Sequence, residues 1–535
     1  MKLDEKQKNI LENFVQNLKK DGFLSWADEV KKDFSEAQVF VVGGAVRDAL
    51  LGAETKDIDF VVRGVTAELL EKKLSSLGRV DLVGKNFGVF KFVPKNLADK
   101  KTGALDIALP RTEHSLGKQG AYRDFDIQSD HTLDIREDLK RRDFTINALA
   151  LEIGTDEINL VDEFGGLADM ENKIIRTIGK PADRFAEDYS RMLRAIRFSC
   201  QLDFKIEQTT KDEIKRLMKN INNEIDDEYI VPREVIAKDF IKSLLEKPVG
   251  AFDLFDELGV FSQLIPEMEA MKNCPQPTNY HSEGNVWKHT RLCLKMLDSK
   301  LFAEQFKASI TGQNNVGTYK NKPYDSDVVL GVLLHDIDKP TTFEPKEVRG
   351  IKKLTYYNHD ALGGRTAEKI CERLKLTAPD KIGVDKENVN WVIAKHMMLL
   401  QGRIDKMKST KIENYFLSDR YPGEKLLKVV FADAVGTIPE GEKIPDENSD
   451  LSHWISLEGF WIALNRIKEI RALAKDGEKK PQPLLDGNEI MQELKIKSGK
   501  EVGEVMEFLR EAQFAGKVTT KEEAKKIIKD YATKS

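Results

Sequence analysis

Between Val39 and Val62 the chain reads VFVVGGAVRDALLGAETKDIDFVV, and this stretch limits the fold more than any other. The apolar run Val39 to Val42 fits a buried strand, Gly43-Gly44 a tight turn, and AVRDALLG the opening of a helix. A glycine turn at a helix N-terminus offers backbone N–H groups and the positive dipole end to an anion such as a triphosphate. Asp57 and Asp59 follow at the head of the next strand. Two residues apart, their carboxylates share one face while Ile58 turns into the core. Side by side they repel unless a cation sits between them, and hard oxygen ligands suit Mg²⁺, which also takes phosphate oxygens. Alone, a Gly-Gly turn or a pair of solvated aspartates is commonplace. In this order, with Arg47 between them, they describe a phosphate seat at Gly44 and Arg47 and a Mg²⁺ site at Asp57 and Asp59.

GGxVRD followed by DID resembles the head of the class II tRNA nucleotidyltransferase and bacterial poly(A) polymerase family. The resemblance implies an α+β chain: a small mixed β-sheet nucleotidyltransferase head, an all-α neck, an α-helical HD domain and a helical tail. The expected limits are a helical extension over 1–35, head 36–160, neck 161–277, HD domain 278–440 and tail 451–535.

A chain of 535 residues holds several domains, and 33% charged with 40% hydrophobic residues suits a globular protein. Its formal net charge of -5 argues against a uniformly basic nucleic-acid coat but allows a local basic groove. Cys200, Cys274, Cys293 and Cys371 form no CxxC, so neither a disulfide frame nor a thiolate zinc site is expected. The charged, amphipathic N-terminus lacks the apolar core of a signal peptide, and no apolar run approaches membrane-spanning length, so a cytoplasmic enzyme is expected.

Ile10, Phe14, Leu18 and Phe23 fall at near-helical spacing in the first 34 residues, as a packing helix would place them. Short β-rich runs follow the DID strand. If the run LDIALPRTE pairs beside it, Asp106 becomes a third carboxylate at the metal, able to help deprotonate a hydroxyl; otherwise it is an edge-strand aspartate. The Gly-, Asp- and Ser-rich stretch from Glu113 to Asp138 reads as a mobile loop where a lid could form. KRRDFTINALA from Lys140 resembles the family's second head motif. The match implies that Arg142 touches the nucleotide and that Asp143 holds Arg142 or the sugar. LVDEFGGLADM, Leu160 to Met170, resembles the hinge between head and neck.

In AEDYSRMLRAIRF, Asp188, Arg191, Arg194 and Arg197 recur every three positions, which predicts one helical face carrying all four. A salt-bridged surface would produce the same ladder. The sharper reading follows from base chemistry. A carboxylate at Asp188 accepts from an exocyclic amine, and a guanidinium at Arg191 donates to the neighbouring ring acceptor. Cytosine and adenine offer that pair, whereas guanine and uracil place a carbonyl where the amine should be. Arg194 and Arg197 then face the triphosphate or brace Asp188. The segment resembles the EDxxR motif with which family members choose the incoming base without a nucleic-acid template, and Glu187 matches it too.

Beyond Pro275 and Pro277 an ordered set of His289, His335-Asp336, His359, His396 and Asp433 lies on successive helical segments. It resembles the HD superfamily of metal-dependent phosphohydrolases, though Asp338 stands where those proteins often carry glycine in HDxGK. Imidazole and carboxylate ligands suit Mn, Ni, Co, Zn or Fe. His289, His335, Asp336 and Asp433 carry the core match, His359 and His396 complete a second metal position, and His281 and His453, which lack a motif, read as structural. Gly312 to Asp327 reads as a disordered loop.

The resemblance implies a CCA-adding tRNA nucleotidyltransferase with tRNA, CTP and ATP as partners and Mg²⁺ as cofactor; the sequence is silent on oligomeric state. Competing readings are a poly(A) polymerase, an enzyme adding only CC or only A, and a phosphohydrolase working at His335 and Asp336. Gly84-Lys85-Asn86-Phe87-Gly88 is closer to the CCA-adding text than to that of the polymerases.

Overall fold

The computed structural model describes residues 3–533 except 56, 83–88, 98–103, 116–124, 156, 311–318, 349–350, 380–381, 400–403, 447, 452–453, 475–477 and 479. The GKNFG segment, the middle of the expected lid, the first seven residues of the loop expected over Gly312–Asp327 and His453 therefore lie outside the described residues; the rest of that expected loop is ordered, with a 3-10 turn at Tyr319–Asn321 and the start of helix Ser326–Leu334. The chain divides into two compact units, one of Met1–Asp239 with Glu257–Gly259 and one of Phe240–Asp256 with Val260–Ser535.

In the first unit, helices α1 (Glu5–Lys20) and α2 (Ser25–Asp33) precede the head. A capping box between Asp4 and Gln7 starts α1, whose buried stripe runs through Leu11 and Leu18, with Ile10 and Phe14 half-buried beside it. The head strands are β1 (Gln38–Val42), β2 (Asp59–Arg63), β3 (Gly78–Leu82), β4 (Val89–Pro94), β5 (Leu105–Ala108), β6 (Arg111–Ser115), β7 (Phe125–Ser129), β8 (Ala150–Ile153) and β9 (Asn159–Val161). Seven of them form a sheet in the order β3-β4-β5-β2-β1-β8-β9. Only β2 and β5 run parallel within it, so the sheet is mixed, as the resemblance implies.

Apolar cover on both faces explains why β1 is buried almost throughout. Trp26 of α2 packs edge-on against Phe60 of β2 at 5.2 Å and Phe92 of β4 at 6.2 Å. Phe40, Val42 and Val61 pack on Ile135, Leu139 and Ile178. Each fully buried phenylalanine contributes about 2 kcal/mol relative to exposure. Part of the expected lid is ordered: β6 and β7 pair antiparallel, Arg111 opposite Ser129.

Helices α3 (Gly44–Leu50), α4 (Ala67–Leu77), α5 (Ile135–Lys140), α6 (Gly166–Glu171), α7 (Pro181–Glu187) and α8 (Ser190–Leu202) complete the part that forms the site. Gly165, at φ 76°, starts α6 within the stretch read as a hinge.

The second unit is mainly helical. Of the motif histidines, His289 and His359 lie on helices Val286–Leu297 and His359–Arg373, and His335 and His396 at the ends of Ser326–Leu334 and Lys386–Lys395, with Asp433 on Gly423–Gly436. A β-hairpin, Phe343–Val348 with Ile351–Tyr356, interrupts the all-α expectation. At the end of the chain, Ile490, Val505, Leu509 and Ile528 of three short helices share one small core. Among the described residues no helix is long and apolar enough to cross a membrane.

Candidate active site

One cavity of about 940 Å³ in the first unit is lined by every residue expected there to be catalytic, metal-binding or nucleotide-binding: Gly44, Arg47, Asp57, Asp59, Asp106, Arg142, Asp143, Asp188, Arg191, Arg194 and Arg197. Acids of the sheet and arginines of α8 thus share one cleft.

The acidic wall follows from strand register. Asp59, the first residue of β2, stands opposite Asp106 of parallel β5, so their side chains share a face, and Asp57 lies two residues earlier in the chain. Lys91 of β4, which pairs with Asp106 across the ladder, sets its Nζ 3.0 Å from the Asp106 carboxylate. The Asp59 carboxyl is pushed above its ordinary range, chiefly by enclosure and further by Asp106 and Asp57, against the pull of Arg142 and Lys91. A carboxylate held there against its neighbours is a site that a divalent cation relieves, and the all-oxygen donor set fits Mg²⁺.

The glycine turn meets the second motif directly. Gly43 has φ 68°, and a Cβ there would collide with the Arg142 guanidinium. Arg142 is loosely held, 3.4 Å from Asp138 and from the Asn147 carbonyl, and its Nε has no hydrogen-bond partner among the described residues. Its donors therefore suit an anion in the cleft. Arg47 is buried, donating to Asn147 at 2.5 Å and to Asp48 at 2.7 and 2.8 Å.

The arginine wall differs from the sequence reading in two respects. Asp188 is not on the arginine helix: it follows α7 in extended conformation, φ -154° and ψ 107°, and α8 begins at Ser190. Its Oδ1 accepts from the Ser190 backbone N–H at 2.8 Å, which leaves Oδ2 for another donor. The aspartate and the arginines thus line one cavity through a break in the helix. Burial raises the Asp188 carboxyl above its usual range, with Ser190 and Arg191 opposing.

Secondly, Asp143 holds Arg194, not Arg142. Arg194 donates Nε and Nη2 to Asp143 Oδ2 at 2.8 and 2.6 Å, while Asp143 Oδ1 accepts from Asn147 at 3.0 Å. Burial opposes ionisation of Asp143, but Arg194 and these hydrogen bonds outweigh it and hold the carboxyl well below the usual range. Nor does Arg197 brace Asp188 by an ion pair; it donates to Asp239 at 2.6 Å and lies 4.1 Å over the Phe198 ring. Glu187, whose role the sequence left open, accepts from Arg191 at 2.5 Å and from Arg184 at 2.9 Å and so orients Arg191.

The second unit gathers its own cluster. The ligand atoms of His289, Cys293, His335 and Asp433 lie within 4.8 Å of one another, as do those of Asp336, His359 and His396. Asp336 joins the two groups, its carboxylate 3.3 Å from His335 Nε2 and 3.5 Å from His359 Nε2. All are buried, and Nε2 of His359 and of His396 has no hydrogen-bond partner among the described residues. Buried imidazole nitrogens facing a carboxylate fit a transition metal. Asp338 has φ -100°, ordinary for any residue, and accepts from Thr341 at 2.7 Å and Thr366 at 2.5 Å, so this turn does not require glycine.

Three neighbours of this cluster were not legible in the sequence. Cys293, one turn after His289, sets its Sγ 3.4 Å from His289 Nε2. Glu283 accepts from both His281 and His289, so His281, read as structural, belongs to the network. Lys339 lies 2.7 Å from Asp336 and donates to Gln276 at 2.8 Å. Their common signal was proximity to His289 or to the HD pair, without a motif.

Comparison with known proteins shows what the chain is similar to. Residues 39–176 match the poly A polymerase head domain. The multifunctional CCA protein of Vibrio parahaemolyticus is 37% identical over 340 residues, 63% of this chain and 71% of that protein. Its counterpart in Nitrosomonas europaea is 32% identical over 340 residues, covering 63% of this chain and 69% of that protein. Among solved structures, an apo CCA-adding enzyme matches with TM-score 0.58 at 21% identity, over 99% of this chain and 96% of that one. The Bacillus stearothermophilus CCA-adding enzyme in complex with CTP matches with TM-score 0.56 at 18% identity, over 99% and 98%. The two structural matches speak to the fold, and the sequence relatives to descent: the chain belongs to the multifunctional CCA protein family of class II CCA-adding enzymes.

Proposed function

We propose that the protein is a CCA-adding tRNA nucleotidyltransferase, which transfers CMP and AMP from CTP and ATP to the tRNA 3′ end and releases pyrophosphate. The observation that carries this reading is the single cavity into which Asp57, Asp59 and Asp106 face from one side and Asp188, Arg191 and Arg194 from the other. Mg²⁺ bound by Asp57 and Asp59 would supply charge neutralisation at the phosphates and activation of the attacking hydroxyl. Asp106 stands where it can take the proton of the tRNA 3′ hydroxyl as its oxygen attacks the α-phosphorus and the bond to pyrophosphate breaks. Gly44 and Arg47 seat the phosphates together with Arg142. Asp143 fixes Arg194 on the nucleotide, and Arg197 stiffens the helix beside it.

Base choice falls to Asp188 and Arg191. Asp188 Oδ2 accepts from N4 of cytosine or N6 of adenine, and Arg191, aimed by Glu187, donates to N3 or N1. Guanine and uracil would set a carbonyl against the carboxylate. Lysines and arginines of the neck (161–277) and tail (451–535) grip the acceptor arm, which makes binding salt-dependent. The remaining limits are extension 1–35, head 36–160 and HD domain 278–440, and the setting is cytoplasmic.

The test is extension of tRNA lacking its 3′ CCA by the purified chain with labelled CTP and ATP. Three added nucleotides are expected. A long A tail would make it a poly(A) polymerase, one or two nucleotides an A- or CC-adding enzyme, and no extension would overturn the reading.

The Nε2 atoms of His359 and His396, without a hydrogen-bond partner among the described residues and beside Asp336, favour a second activity. His289, His335, Asp336, His359, His396 and Asp433 would hold a transition metal of the Mn, Fe, Co, Ni or Zn group, which supplies a water nucleophile for phosphate-ester hydrolysis when bound. Chelator-sensitive release of phosphate from a nucleotide tests it, and hydrolysis indifferent to chelation would refute it.

A further inference from the structure

We infer that Glu283 is a positioning residue of the second centre: it fixes His289 in the tautomer that turns Nε2 toward Asp433 and His335. The inference rests on the reading of that cluster as a metal centre.

Three of the four imidazoles are set by the backbone. His335 Nδ1 lies 2.9 Å from the Val332 carbonyl, His359 Nδ1 2.7 Å from that of Tyr356, and His396 Nδ1 2.7 Å from that of Ile393. A carbonyl oxygen only accepts, so Nδ1 carries the proton in each, and Nε2 of the neutral ring keeps its lone pair. His289 instead sets Nδ1 2.9 Å from Glu283 Oε1. Its Nε2 lies 3.0 Å from Asp433 and 3.3 Å from His335 Nε2. Two imidazole nitrogens at that distance, both with lone pairs, need a cation or a proton between them.

Glu283 is itself held firmly. Its side chain is 4% exposed, Oε1 also accepts from His281 Nδ1 at 2.7 Å, and Oε2 accepts from the Ile438 backbone N–H at 3.0 Å. His281 packs edge-on against His289 at 5.0 Å, closing the far side of the carboxylate. A carboxylate behind a ligating imidazole fixes the ring orientation and raises its basicity, and losing such a partner typically weakens metal binding about 10- to 100-fold. His289 is thus the imidazole in this cluster backed by a charged group rather than a carbonyl.

The experiment uses the full chain and Co²⁺ as probe, titrated by its visible absorption with Mg²⁺ in excess, for the wild type, Glu283→Gln and Glu283→Ala. Thermal melting of each metal-free protein separates folding from binding. A Kd raised about 10- to 100-fold in Glu283→Ala, and less in Glu283→Gln, which keeps an acceptor oxygen, is the expected result. Equal Kd values in all three would overturn the inference. A wild type that binds no Co²⁺ would instead refute the metal reading itself. Should the variants not fold, nitrogen NMR of histidine-labelled wild type decides. With diamagnetic Zn²⁺ loaded, Nδ1 protonated with no proton on Nε2 at His289 is expected, and the opposite tautomer would overturn the proposal.

Discussion

Asp143 and Arg194 close on each other across the active-site cleft, two guanidinium nitrogens meeting one carboxylate oxygen at 2.8 and 2.6 Å. The pair joins the segment after α5, where Arg142 faces the cavity, to the helix that carries Arg191 and Arg197. Residues proposed to bind the nucleotide lie on two segments that the pair fixes against each other, which would lower the ordering cost of binding.

Breaking that pair should cost stability as well as affinity. Asp143 is buried while the Arg194 side chain is 38% exposed, so the full cost of a severed buried pair is discounted to about 2 kcal/mol for Asp143→Asn. The folded carboxyl lies below its ordinary value of 3.8, so its stabilisation is complete above that value and lost as pH falls through the depressed one. Urea melts at neutral and acid pH should show the variant's deficit shrinking on acidification, with KM for CTP raised at neutral pH.

At the acidic wall, Asp59→Asn and Asp106→Asn would remove the proposed metal ligand and the proposed proton acceptor. Single-turnover CMP transfer should slow by about 10²- to 10⁴-fold in each. A slowing below threefold in Asp106→Asn would remove it from the chemistry, whereas the opposition of Asp59 and Asp106 in the sheet would stand.

Selectivity is the signature of Asp188. In Asp188→Asn the side-chain amide can turn to donate to a carbonyl, so UTP should gain on CTP by about 10- to 100-fold in relative kcat/KM, since a paired base contact is worth about 1–3 kcal/mol. Glu187→Gln should weaken CTP use less, because it only loosens the orientation of Arg191. Competition assays with paired nucleotides measure both.

Loading the proposed second centre with a metal should stabilise that unit. With Co²⁺ at about 100 times its Kd the gain is about 2.7 kcal/mol, read by calorimetry as a higher melting temperature that a chelator reverses.

The head was legible because its signals are local. A period-two strand and a two-residue acid spacing fix which side chains share a face, and the pairing of Asp59 with Asp106 follows once β2 and β5 lie side by side. What the sequence hid depends on tertiary packing. The three-residue spacing from Asp188 to Arg197 reads as one helix, yet the backbone breaks between α7 and α8 at Asp188. The family match pointed to Arg142 or the sugar as the partner of Asp143, and the fold brings Arg194, 51 residues away, to its carboxylate. Glu283 and Cys293 carry no motif: they lie within six residues of His289, and only the fold, which brings His335 and Asp433 to the same place, marks them as part of a centre.

The central claim is that one nucleotide spans the acids of the sheet and the break before α8. A crystal structure of the full chain with CTP and Mg²⁺ tests it most directly. The α-phosphate is expected beside Asp59 and Asp106, with the cytosine N4 amine within hydrogen-bond reach of Asp188. A triphosphate bound with its base turned away from Asp188 and Arg191 would contradict it.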